Sequence, residues 1–90
     1  MVLNIEVFTA PGCSKCGHAL SRLKKVVSVL NKEKIHWREV NILEELDYAV
    51  ELGVLATPAI AMNGRLVFTG TPSGEEIRRK AALHLADTAS

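Results

Sequence analysis

Cys13 and Cys16 stand three residues apart in the run Thr9-Ala10-Pro11-Gly12-Cys13-Ser14-Lys15-Cys16, and they are the only cysteines in the chain. Two thiols at this spacing can pass electrons as a dithiol–disulfide couple, supply half of a metal site, or staple a single turn. Which chemistry they serve depends on the elements that hold them, because the local field decides how readily a thiol becomes the nucleophilic thiolate.

Ahead of the pair, Val2 to Thr9 reads as a strand with a nearly continuous apolar run, Val2, Leu3, Ile5, Val7 and Phe8, which predicts cover on both faces. Pro11 and Gly12 break it. Cys16, Leu20, Leu23, Val27 and Leu30 then recur with helical period, flanked by Ala19 and Val26, while Arg22, Lys24, Lys25 and Ser28 fall on the other side. The spacing predicts an amphipathic helix from about residue 14 to 31, ended by Asn31-Lys32-Glu33-Lys34. Ile35 to Ile42, with Trp37 and Val40, reads as a second strand, so the first three elements form a βαβ unit with parallel strands.

Asn41 and Glu44 have capping-box spacing and predict a helix through Leu52, with Leu46, Ala49 and Val50 packing inward and Gly53 as its left-handed stop. Asn63-Gly64 between the apolar runs 58–62 and 65–69 predicts a tight antiparallel hairpin, since both turn residues must take positive φ. Gly70-Thr71-Pro72 leads to Ser73, which with Glu76 predicts a capped last helix carrying Ile77, Ala81 and Leu85 toward the sheet. Residues 87–90 are expected to fray. The order βαβαββα implies a single α/β domain over residues 1–90, a four-stranded mixed sheet flanked by helices.

On this frame the cysteines open a helix. A helix N-terminus carries unpaired N–H groups and about half a positive charge, which favour a thiolate. Cys13 lies at or just before that terminus, with Lys15 adding positive potential, and is therefore the expected attacking residue. Cys16 is on the apolar stripe, expected to be more buried and placed to resolve a mixed disulfide.

Composition narrows the field. Ninety residues, 48% hydrophobic and 23% charged, make one domain with an affordable core. A formal net charge of +1 gives no electrostatic reason to expect nucleic acid or an acidic membrane as partner. Met1 to Glu6 lacks a basic and long apolar leader pattern, and no run approaches a membrane span, so the expected setting is cytoplasmic. Two cysteines cannot build a secreted disulfide framework, and in a reducing compartment they point to chemistry or metal.

Cys13-Ser14-Lys15-Cys16 after strand one, Thr57-Pro58 opening strand three and the Gly70-anchored turn into the last helix together resemble the thioredoxin superfamily, in particular its short thioredoxin and glutaredoxin-like members. The resemblance covers almost the whole chain. It implies the thioredoxin-like fold and a thiol–disulfide oxidoreductase active in electron transport, with a redox-active Cys13–Cys16 disulfide and no tightly bound cofactor. It also implies that Pro58 is cis and faces the cysteines, and that Thr57 pairs its backbone with the substrate chain. Pro11, Gly12, Ala56 and Thr71 would join Lys15 and Gly70 in an exposed docking surface around Cys13. The implied partners are protein disulfides and a reductase, acting on a monomer. Val7 stands where thioredoxins carry a buried acid, and Glu6 beside it points to the other face.

Two further readings compete. A glutathione-dependent glutaredoxin would place glutathione's carboxylates near Lys15 and Ser73. A metal-binding or metal-delivery module would use the cysteines as ligands, but a closed tetrahedral zinc site needs four, and only His18 is near in sequence. His18, His36 and His84 are read as solvated or partly exposed, Trp37 as core or sheet edge. The basic runs Arg22, Lys24, Lys25 and Arg78, Arg79, Lys80 are read as solvated helix faces.

Overall fold

The computed structural model describes residues 2–30 and 32–89. Four strands and three helices follow the expected order: β1 (Leu3–Thr9), α1 (Cys16–Val29), a 3-10 turn (Lys32–Lys34), β2 (Ile35–Asn41), α2 (Leu46–Leu52), β3 (Ala59–Met62), β4 (Arg65–Thr69) and α3 (Gly74–Ala89). They form one mixed sheet in the order β2-β1-β3-β4. β1 runs parallel to β2, with Val7 beside Glu39, and antiparallel to β3, with Phe8 beside Ala59.

The apolar run of β1 places it at the centre. Leu3, Ile5 and Val7 point to one face and pack with Ala19, Leu23 and Val26 of α1 and with Ile77 and Ala81 of α3. Phe8 points to the other face, where Val40, Ala49, Ala59 and Ala61 form a smaller cluster. Each fully buried Val, Leu, Ile or Phe side chain among these contributes about 1.5–3 kcal/mol. Cover on both faces holds only for the upper half of β1: Val7, Phe8 and Thr9 are buried, whereas Asn4 is exposed and Glu6 half-buried. The reason is the length of α2, whose seven residues span about 10 Å and cover half a sheet face.

The punctuation signals act as expected at three places. Gly53 ends α2 at φ +86°. Asn63 and Gly64 take φ +51° and +79° in the hairpin, and the Asn63 side-chain oxygen accepts a 2.9 Å bond from the Asn4 amide. Ser73 Oγ accepts from the Glu76 amide while the Glu76 carboxylate accepts from the Ser73 amide, both at 3.1 Å.

Other expectations need correction. Helix α1 begins at Cys16 with Lys15 as N-cap, because residues 14 and 15 are in turn conformation. Its expected end at Asn31 lies outside the described residues; the last helical residue is Val29. Asn41 does not cap α2. Its side chain accepts from the Leu43 amide and its carbonyl from the amides of Glu44 and Glu45, a local turn that delays the helix to Leu46. Leu46 and Val50 consequently face solvent, at 55% and 66% exposure, while Tyr48, Ala49 and Leu52 pack inward. Helix α3 continues to Ala89, so the expected fraying of 87–90 is not seen there; Ser90 lies outside the described residues.

Candidate active site

The cysteine loop is built by one turn. Pro11 supplies a fixed negative φ, Gly12 takes φ +78°, and the Cys13 amide donates to the Ala10 carbonyl at 3.2 Å, the pattern of a proline–glycine β-turn. A Cβ at Gly12 would meet nothing within 4 Å, so conformation rather than space requires glycine there. The turn lifts the chain off the end of β1 and delivers it to the start of α1. The Cys16 amide donates to the Cys13 carbonyl, and the two cysteines form a disulfide with their Cα atoms 5.5 Å apart.

The two sulfurs differ in surroundings as their positions dictate. Cys16 is 5% exposed, under the first turn of α1; Cys13 is half-buried at the rim. No side chain caps the α1 N-terminus and no acid occupies its first turn. The positive end of the helix is thus unopposed next to Cys13, and it would stabilise a thiolate released on reduction.

Sheet register brings distant residues to the same rim. β1 ends at Thr9, β3 starts at Ala59 opposite Phe8, and β4 ends at Thr69 opposite Ala59. The cysteine loop, the approach to β3 and the exit from β4 therefore emerge together. The Thr57–Pro58 bond is cis, and the Pro58 side chain is buried beneath it. The Gly70 amide donates to the Pro58 carbonyl at 2.8 Å, which joins the second and third loops. On the loops that leave these strand ends, Pro11, Gly12, Lys15 and Ala56 are exposed and Thr57, Gly70 and Thr71 half-exposed, whereas Pro58 is buried.

Two features were not read from sequence. Arg22, expected to be merely solvated, donates to the Pro72 carbonyl at 3.1 Å and ties α1 to the loop that carries Gly70 and Thr71. Thr9, buried at the end of β1, donates its hydroxyl to Glu39 on β2 at 2.8 Å. Neither link has a short-range signal, since each crosses at least thirty residues. Glu6 faces α2, as expected, held by Tyr48 and Arg38; Val7 is fully buried on the α1 side.

The competing readings find little to work with. The α3 N-terminus, where a glutathione carboxylate would sit, is already filled by Glu76 on the Ser73 amide. Among the described residues no three His, Cys, Asp or Glu side chains gather closely enough to hold a metal ion, and His18 is exposed. No described helix is long and apolar enough to cross a membrane.

The thioredoxin domain family model matches residues 3–81. The chain belongs to the thioredoxin family. A probable thioredoxin of Methanothermobacter thermautotrophicus is 44% identical over 80 residues, covering 86% of this chain and 89% of that one. The thioredoxin of Methanocaldococcus jannaschii is 31% identical over 75 residues, 83% and 87% of the two chains. Among solved structures, thioredoxin of Malassezia sympodialis superposes with a TM-score of 0.77 at 20% identity, over 91% of this chain and 74% of its own. Thioredoxin-2 of the malaria parasite gives 0.79 at 16% identity, over 92% and 84%. Those two likenesses concern the fold. With the family and the Cys13–Cys16 disulfide together, the chain is a thiol–disulfide oxidoreductase, and the glutaredoxin reading falls behind.

Proposed function

We propose that the chain is a cytoplasmic, monomeric reductant of protein disulfides in which Cys13 attacks and Cys16 resolves. The Cys13 thiolate displaces one thiolate from the substrate and becomes disulfide-bonded to it. Cys16 then closes the Cys13–Cys16 bond and frees the second substrate thiol. A reductase, expected to be a protein, returns the pair to the dithiol state. The observation that carries this division of labour is the contrast in exposure: Cys13, half-buried beside an unopposed helix N-terminus, and Cys16, buried at 5% exposure.

The remaining site residues act by position. Thr57 and Ala56 line the rim above the buried Pro58, Gly70 and Thr71 close it from the other side, and Pro11 and Gly12 hold Cys13 outward. We assign Thr57 the backbone contact with the substrate chain, and Lys15 a second source of positive potential. Glutathione is not required in this scheme, and neither is a bound cofactor. Equilibration in defined dithiol buffers tests the direction: a potential near about −270 mV fits a reductant, and one well above about −200 mV would make the protein an oxidant or isomerase instead.

A further inference from the structure

Helix α2 turns a second apolar stripe to solvent. Leu46 and Val50, one turn apart on α2, are 55% and 66% exposed; Leu43, in the turn that precedes the helix, is 67% exposed, and Leu55, in the loop rising from α2 to Pro58, is 96% exposed. The helix already uses Tyr48, Ala49 and Leu52 to cover the sheet, so the stripe is additional to its packing face. Scattered exposed apolar residues are ordinary, but four large ones grouped on one short helix and the loops at its two ends form a candidate contact surface.

The charge around the stripe indicates what covers it. Glu44, Asp47 and Glu51 are exposed, and residues 39–64 contain no lysine or arginine at all. On this side the exposed Arg38 is already paired with Glu6 and Glu45, which leaves Glu44, Asp47 and Glu51 as the uncompensated charges, whereas Lys24 and Lys25 on α1 and Arg79 and Lys80 on α3 stand on the opposite layer. A second copy docking about a twofold axis would set Asp47 and Glu51 against their own images, a like-charge contact. A basic segment with apolar side chains satisfies both the stripe and the acids.

Position links this surface to the chemistry. β2 ends and β3 begins at the rim that carries Cys13, and Leu43 and Leu55 lie just beyond those strand ends. A segment seated on α2 would therefore carry its disulfide toward Cys13. We propose that α2 and the Leu55 loop dock a basic, apolar segment adjoining the disulfide of a protein substrate. This rests on the exchange reaction above, which moves two electrons from the dithiol to the substrate disulfide. One proton reaches the departing thiolates from Cys16 and one from solvent.

The test uses the pre-reduced protein in single turnover, so that no reductase is needed, with four peptide disulfides that differ only in flanking Lys-Leu, Gln-Leu, Glu-Leu or Lys-Ser pairs. The expected ratio of second-order rate constants, Lys-Leu over Glu-Leu, is about tenfold at low salt and falls toward one at high salt. It falls likewise in the Glu44→Gln/Asp47→Asn/Glu51→Gln variant. Taking the ratio within each protein cancels any loss of folded material. In Leu46→Ser/Val50→Ser, the advantage of Lys-Leu over a Lys-Ser peptide disappears. A ratio near one in the unaltered protein, or one that survives in the triple variant, overturns the proposal. So does a dimer seen by sedimentation and dissolved by Leu46→Lys/Val50→Lys, which would assign the stripe to a second copy. Exchange without charge preference removes only this docking surface, whereas no exchange with any peptide removes the disulfide-reductant reading as well.

Discussion

The amide of Gly70 donates a 2.8 Å hydrogen bond to the carbonyl of Pro58, fastening the exit of β4 to the cis-proline loop. Gly70 sits at φ +90°, in the region open to glycine, and a Cβ there would meet nothing within 4 Å. Gly70→Ala therefore introduces backbone strain without a clash. The expected loss is about 1–2 kcal/mol in urea unfolding. Exchange with a protein disulfide should slow more than exchange with a small disulfide, because the strain falls on the docking loops rather than on the cysteines.

Thr71, next in that loop, has a buried hydroxyl with no hydrogen-bond partner among the described residues. A buried unsatisfied polar group costs about 1–3 kcal/mol, and valine keeps the shape of threonine. Thr71→Val is expected to raise stability by about 1 kcal/mol. A fall in the unfolding midpoint would show that the hydroxyl is bonded in solution.

Tyr48 is the only tyrosine, so its ionisation can be followed directly by absorbance. Its hydroxyl donates to Glu6, which accepts also from Arg38; that bond to the carboxylate, with burial second, raises the phenol above its ordinary value. A phenol raised on folding contributes stability that is present below the unfolded value and is lost as pH rises through the folded one. Alkaline titration should find Tyr48 above free tyrosine, and Glu6→Gln should bring it down. An unshifted titration would mean the network does not persist.

At the start of α3 the Glu76 carboxyl is held below its ordinary value, first by the Ser73 amide and then by the Ser73 hydroxyl. A depressed carboxyl contributes stability that is present above the unfolded value and lost as pH falls through the folded one. Glu76→Gln should therefore flatten the fall in stability across and below the ordinary carboxylate range. Ser73→Ala, which removes the cap itself, is expected to cost about 1 kcal/mol at neutral pH.

Local signals were the legible part of this molecule. The Asn63-Gly64 hairpin, the Ser73–Glu76 cap and the Gly53 stop each depend on residues within a few positions of one another, which is why the sequence displays them. The start of α2 differs from the expected one because an asparagine such as Asn41 can serve either a cap or a local turn. The local turn holds, closed by the Leu43, Glu44 and Glu45 amides on Asn41, and with it Leu46 and Val50 lie on the surface rather than in the core. The links from Arg22 to Pro72, Thr9 to Glu39 and Tyr48 to Glu6 depend on sheet order and helix placement, which no stretch of sequence displays by itself. At the site, the resemblance supplied the grouping of Thr57, Pro58 and Gly70 around the cysteines, and strand register supplies its physical cause.

The most direct test of the account is to trap the intermediate. The Cys16→Ser variant, incubated with a protein disulfide, should accumulate a mixed disulfide through Cys13 that dithiothreitol releases, while Cys13→Ser should accumulate none. Equal trapping through Cys16 in the Cys13→Ser protein, or no adduct in either variant, would contradict the assignment of Cys13 as the attacking residue.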